Sequence, residues 1–262
     1  MRVTLEGQTV FAATGGRPFD PALPSVVFVH GAGMDHTVWA LQTRWFAHHG
    51  RSVLALDLPG HGASTGAPLA DIPAMADWAM RVLDALGVAK AAVVGHSMGG
   101  LVALDAAARH PERVRAVGLV GTAGVVPVSA DLLAAAERNE RRAIDMVSLW
   151  GHGPRAGLGG CAVPGLWMAG DGTRLLERAA PGVLHADLAA CDAYRDGLAR
   201  AAALRCPAVL VLGERDQMTP AKAGRALGDA IPGARTLVVP KAGHMLMIEE
   251  PNAVLDALAP AL

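Results

Sequence analysis

A chain of 262 residues suits one α/β domain, alone or with an insertion, and about 70–75% of its unfolded surface can be buried without disulfide or metal staples. The formal net charge of −1, with no basic run, argues against nucleic acid or an anionic membrane as partner. No apolar stretch is long enough to span a bilayer. The start Met1-Arg2-Val3-Thr4-Leu5-Glu6 lacks the apolar core of a secretory signal, so a cytoplasmic location is expected.

Residues 3–5 and 9–13 flank Glu6-Gly7-Gln8 and predict a hairpin. A Gly- and Pro-rich loop over 15–24 leads into the apolar run Val26-Val27-Phe28-Val29, a buried strand that ends at His30-Gly31-Ala32-Gly33. A helix is expected over 37–49, with Trp39, Leu41, Trp45 and Phe46 inward and Gly50 as its stop. Val53-Leu54-Ala55-Leu56 is the next buried strand, followed by the loop 57–64 and a helix over 72–86 closed by Gly87. Then come a strand over 91–94, a helix over 101–109, strands over 116–120, 208–212 and 236–239, and a last helix from about Pro251. Strands apolar on both faces that alternate with helices predict an α/β fold, a mostly parallel sheet covered on both sides.

The alternation breaks between Gly124 and Arg205. Residues 132–149 read as a charged helix, 151–172 are dense in Gly and Pro, and short helical pieces follow around 174–178 and 186–204. The expectation is a helical lid over 126–204, inserted into a core made of 1–125 and 205–262. The segment from Gly151 to Gly172 is expected to be its most mobile part, because glycine leaves many backbone states open and few side chains to pack. Cys161, Cys191 and Cys206 are scattered and odd in number, without metal-like spacing, and are expected as free thiols.

The stretch Gly95-His96-Ser97-Met98-Gly99 between a strand and a helix fits G-x-S-x-G. That pattern turns the chain sharply and leaves the serine at the apex. A Cβ at Gly95 or Gly99 is expected to clash where strand and helix approach. The following helix points its free N–H groups at Ser97, which favours negative charge there. A Gly-rich turn without chemistry is the plainer alternative for the pentapeptide alone.

A serine hydroxyl needs a base, and the base needs an acid to orient it. Of ten histidines, most fall on helix ends, in loops or in the insertion and read as surface residues. His96 adjoins the serine but is expected to point into the scaffold. His244, in Lys241-Ala242-Gly243-His244-Met245 just past the last strand, sits at the carboxyl edge of the sheet where sites form. The loop Gly213-Glu214-Arg215-Asp216 offers two carboxylates at the same edge, and Asp216 has the better register. The alternative for Asp216 is a turn residue that caps the next helix.

The order Ser97, Asp216, His244, each after a strand, resembles the α/β-hydrolase superfamily, in its serine esterase-like form with a helical lid. Asp57-Leu58-Pro59-Gly60-His61-Gly62-Ala63-Ser64 is similar to that family's D-x-P-G-x-G-x-S loop, and Gly213-x-x-Asp216-x-x-Thr219-Pro220 and Gly243-His244 match as well. The resemblance makes His61 structural. An oxyanion hole requires two preset donors. One is the N–H of Met98, directly after the nucleophile. The family's His-Gly-x pattern maps onto His30-Gly31-Ala32 and makes Ala32 the other, with Gly33 the alternative.

The implied chemistry is acyl transfer to water through an acyl-serine, with no cofactor and no metal, on a small-molecule ester. Epoxide hydrolases and haloalkane dehalogenases resemble this fold but carry aspartate where Ser97 stands, and the chain has a single tyrosine, Tyr194. C–C bond hydrolases keep the serine, yet many show Asn before it and Trp after the histidine, where this chain has His96 and Met245. Cofactor-free perhydrolases and a non-catalytic binding protein on the same scaffold are the remaining alternatives. Trp150, Trp167 and Met168, with Leu166 and Leu184, are candidates to line an acyl pocket or to form the lid's own core. The sequence carries no signal for an oligomeric state.

Overall fold

The computed structural model describes residues 1–158, 160 and 165–262. Cys161 and part of the Gly-rich stretch 151–172 therefore lie outside the described residues. Strands β1 (Arg2–Leu5) and β2 (Gln8–Ala13) form the expected hairpin, followed by β3 (Ser25–Val29), helix α1 (Ala40–His48) and β4 (Ser52–Leu56). Helix α2 (Ile72–Ala85), β5 (Ala91–His96), α3 (Met98–Arg109) and β6 (Val114–Val120) complete the first half. After the helices α4 (Ala130–Glu137), α5 (Arg141–Gly151), α6 (Met168–Arg178), α7 (Val183–Ala193) and α8 (Gly197–Ala202) the sheet resumes with β7 (Ala208–Gly213), α9 (Ala221–Ala230) and β8 (Arg235–Val239). Two short helices, α10 (Leu246–Glu249) and α11 (Pro251–Leu258), end the chain.

Among the described residues the sheet has eight strands in the order β1-β2-β4-β3-β5-β6-β7-β8. β1–β2 and β2–β4 are antiparallel, and every other pairing is parallel. β3, β4, β5 and β7 are buried at every position, as strands covered on both faces must be. Side-chain alternation splits the core into two layers. Val27, Val29, Val93 and Leu119 pack with Leu83 of α2 and Leu104 of α3 on one face. Val26, Phe28, Val94 and Val120 pack with Phe46 of α1 and Leu258 of α11 on the other.

Register sets the site. Val29 pairs with Gly95, His96 with Val120, Val120 with Val211 and Gly213 with Val239. The loops leaving β3, β5, β7 and β8 therefore emerge side by side at the carboxyl edge.

Between β6 and β7 the described residues form helices and no strand. The charged helix expected over 132–149 is two helices. α4 stops at Glu137, and Asn139 takes a left-handed turn at φ +52° before α5 starts at Arg141. Asparagine tolerates that region better than other side chains, a turn signal that the run of charges masked. α4 packs on α5 and α7, whereas α8 packs on α3 and α9 of the sheet layer. Cys191 is a buried free thiol, Cys206 a half-buried one. No helix among the described residues is long and apolar enough to cross a membrane.

Candidate active site

Ser97 caps α3 in a conformation that side chains rarely adopt, with φ +53° and ψ −116°. Such backbone costs about 1–3 kcal/mol and persists only where its surroundings hold it. Here the Ser97 N–H donates to Val120 O at 3.0 Å, and Ser97 O accepts from Gly100 N–H at 2.9 Å and from the Thr122 hydroxyl at 2.9 Å. A Cβ at Gly95 would lie 1.8 Å from Gly99 O, and one at Gly99 would lie 2.3 Å from Val29 O. Both glycines are therefore steric requirements of the turn. α3 begins at Met98 rather than at Leu101, so both following glycines sit in its first turn.

His244 is buried in the loop after β8, where its Nδ1 donates to Asp216 Oδ2 at 2.8 Å. The same oxygen accepts the Thr219 hydroxyl at 2.8 Å, and Asp216 Oδ1 accepts the N–H groups of Met218 and Thr219, each at 2.8 Å. Asp216 thus caps its own turn and faces the histidine at once. With the Nδ1 proton committed to Asp216, Nε2 is left as the basic atom of the ring. Glu214 is exposed and accepts from Lys241 N–H at 2.9 Å, away from His244.

Ser97, His244 and Ala32 line one cavity of about 190 Å³. Its walls include Leu132, Val147, Trp150, Leu184, Leu188 and Met218, and its described lining contains no Lys, Arg, Asp or Glu. Trp150 and Leu184 are thus at the cavity. Trp167 and Met168 are not. Trp167 is 64% exposed with its ring against Gly170, and Met168 is buried at the start of α6. Leu166 borders a separate groove beside α6. Tyr194 is buried and donates to Asp105 Oδ1 at 3.0 Å, on the α3 side of the sheet.

The N–H of Gly33 donates to Asp187 Oδ2 at 2.7 Å and is not available to a ligand. The N–H groups of Ala32 and Met98 have no acceptor among the described residues. For Met98 this follows from its place in the first turn of α3. The carbonyl of the peptide that carries the Ala32 N–H accepts from His30 Nδ1 at 2.9 Å and from Met34 N–H at 3.2 Å. His30 Nε2 in turn accepts Leu58 N–H at 3.2 Å, which requires a neutral ring. Burial, with the nearby His61, pushes His30 down to about 4 in agreement.

His96 is fully buried, as expected, and donates from Nε2 to the carbonyl oxygen of His244. Sequence reasoning missed that contact. It also missed Thr219 as a partner of Asp216, although the spacing from Asp216 to Thr219-Pro220 was visible. His36, expected on the surface, is half-buried and donates from Nδ1 to Asp57 Oδ1 at 2.8 Å. Asp35, His36 and Asp57 bring possible ligand atoms within 4.8 Å of one another. Their carboxylate oxygens already accept from His36, Ala63, Thr37 and Arg178, so the cluster has no free ligand set.

A family model described as "Alpha/beta hydrolase family" matches residues 26–257. The chain is 33% identical to the pimeloyl-[acyl-carrier protein] methyl ester esterase of Chromobacterium violaceum, over 90% of this chain and 93% of that protein. It is 32% identical to the 2-hydroxymuconate semialdehyde hydrolase of a Pseudomonas species, over 86% of this chain and 81% of that one. Among solved structures, the enol-lactonase from Burkholderia xenovorans LB400 superposes with a TM-score of 0.88 at 25% identity, covering 99% of this chain and 98% of that one. Fold, sequence and the serine turn at the sheet's carboxyl edge agree, and this chain belongs to the alpha/beta hydrolase family.

Proposed function

We propose that this hydrolase cleaves carboxylic esters through an acyl-serine intermediate, with Ser97 as nucleophile, His244 as base and Asp216 as the acid that orients it. The observation that carries the reading is the 2.8 Å contact between His244 Nδ1 and Asp216 Oδ2, on a ring that shares one cavity with the strained Ser97. His244 Nε2 takes the hydroxyl proton as Ser97 Oγ attacks the ester carbonyl. The N–H groups of Ala32 and Met98 receive the charge that develops on the carbonyl oxygen. Collapse expels the alcohol, which takes its proton from His244. Water then enters by the same route and releases the acid.

Residues 126–204 act as a lid that shapes substrate choice and supplies none of the groups that react. A described lining without charged side chains favours neutral, apolar ester groups, because a buried unpaired charge is strongly disfavoured. The free Cys191 and Cys206 fit a reducing, cytoplasmic setting. C–C bond hydrolysis is the second reading, supported by the 32% identity to a semialdehyde hydrolase.

A panel of p-nitrophenyl esters of graded chain length, thioesters and a vinylogous diketone tests both. Ester turnover that disappears with Ser97→Ala is expected. Faster cleavage of the diketone than of every ester would move the assignment to C–C hydrolysis, and ester turnover that survives Ser97→Ala would remove the mechanism.

A further inference from the structure

We infer that Asp187 of α7, paired with His61, is a positioning residue that holds the loop 30–33 so that the Ala32 N–H faces the reacting carbonyl. The inference rests on the reading of Ala32 as an oxyanion donor. Asp187 is completely buried, and its Oδ2 accepts both Gly33 N–H at 2.7 Å and His61 Nε2–H at 2.8 Å. Gly33 and Asp187 are 154 residues apart in sequence, so this bond ties the helical segment between β6 and β7 to the core.

The geometry bears on Ala32 from both sides. A peptide unit is planar, so fixing one of its polar groups orients the other. The unit before Ala32 is held through its carbonyl by His30 Nδ1 and Met34 N–H. The unit after it is held through the Gly33 N–H, which among the described residues donates to Asp187. The loop is also packed tightly from the same helix. Gly33 is left-handed at φ +69°, and a Cβ there would lie 2.9 Å from Leu184 Cδ1.

His61 completes the latch. Its Nδ1 lies 3.0 Å from Pro59 O and its Nε2 lies 2.8 Å from Asp187 Oδ2. Both ring nitrogens face acceptors, so both bonds form only when the ring is an imidazolium. Burial is the largest single effect and opposes that charge, but the hydrogen bond and charge of Asp187, the Pro59 carbonyl and the charge of Asp57 together outweigh it, and His61 is raised. The groups that face the ring are Asp187 from α7, Asp57 from the loop after β4, and His30, whose ring centre is 4.7 Å away. The charged His61 also disfavours a proton on His30, which keeps His30 in the neutral form that grips Gly31.

Loss of one oxyanion donor lowers kcat by about 10²–10³, and a donor left in place but loosened should cost less. Asp187→Ala is expected to lower kcat about 10- to 100-fold on a neutral p-nitrophenyl ester while KM changes less than about threefold, the pattern of a contribution made in the transition state. Asp187→Asn keeps an oxygen for the Gly33 N–H and is expected to recover most of that loss. His61→Gln should fall between them, and with Asp187→Asn it carries the test if Asp187→Ala does not fold. Unchanged kcat in these variants, a rise in KM that accounts for the loss, or an activity that merely follows the folded fraction would overturn the inference. Ser97→Ala is assayed alongside. If it stays active the ester mechanism itself has failed, and if it is inactive while the Asp187 variants are unimpaired only the latch has failed.

Discussion

His96 Nε2 donates to the carbonyl oxygen of His244 across 3.0 Å, so the residue before the serine holds the loop that carries the proposed base. The two rings lie 4.6 Å apart between centres, and His96 is buried and held well below the ordinary histidine range by that burial and by the neighbouring His244. A neutral His96 with its proton on Nε2 is the form this contact needs. His96→Ala leaves a buried carbonyl without its donor, an expected loss of about 1–3 kcal/mol in stability, together with a lower kcat. His96→Asn keeps a donor in the same direction and should retain more of both. Equal kcat for the two variants would show that the bond does not position His244.

Removal of the proposed nucleophile should be the most damaging single change. Ser97→Ala is expected to lower kcat about a millionfold, and His244→Ala nearly as much. Asp216→Asn should cost about 10⁴, since the imidazole keeps its place but loses the partner that selects its tautomer. Glu214→Gln should have little effect, because Glu214 faces Lys241 and solvent. Steady-state kinetics on an activated ester, with circular dichroism to verify folding, separates these outcomes. A larger loss from Glu214→Gln than from Asp216→Asn would identify the wrong acid.

The serine turn and the sheet were legible in the sequence because each rests on local rules. The turn declares itself through Gly95 and Gly99, where a Cβ has no room, and the parallel strands through apolar runs such as Val26-Val27-Phe28-Val29. The loops carrying Asp216 and His244 follow from chain order and the carboxyl edge. What was hidden depends on contacts between distant segments. Nothing around Asp187 marks it as anything but a polar residue on a helix, yet it meets Gly33 across the fold. By residue type Trp167 and Met168 suit either an acyl pocket or the lid's own core, and which of these each meets is decided by how α6 packs against its neighbours. The stop at Asn139 inside a run of helix-favouring charges was masked in the same way.

Two buried neutral histidines should make the fold acid-labile before its carboxylates titrate. Burial, with the nearby charge of His61, lowers His30 to about 4, and His96 is shifted in the same direction. Unfolding restores each to an ordinary value of about 6.5. A group lowered on folding contributes stability that is present above its unfolded value and lost as the pH falls toward its folded one. For His30 alone the loss between pH 6.5 and 4 is about 3 kcal/mol. His61 is raised and acts with the opposite sign, so its contribution is complete below about pH 6.5 and is lost as the pH rises through its raised folded value. Urea unfolding at a series of pH values should show stability falling from pH 6.5 to 4.5, with a shallower slope in His30→Gln. A flat profile over that interval would contradict the neutral, buried assignment of these rings.

The cavity should read acyl size through Trp150 and ignore Trp167. Trp150 lines the 190 Å³ cavity with Ser97, whereas Trp167 is 64% exposed and outside it. A dry apolar cavity of about 150 Å³ accommodates benzene, so the site is sized for a short or monocyclic acyl group. Each methylene buried there contributes about 0.8 kcal/mol, or about fourfold in kcat/KM. The series of p-nitrophenyl esters should therefore climb by about that factor per carbon, then drop once the chain outgrows the walls. Trp150→Ala removes one wall and should move the optimum to longer chains while acetate ester hydrolysis stays within about threefold of wild type. Leu188→Phe fills the same space and should move it to shorter ones. Trp167→Ala should leave the optimum where it is. A shift in Trp167→Ala equal to that in Trp150→Ala would mean that the acyl group lies along the outer surface of α6 and not in this cavity.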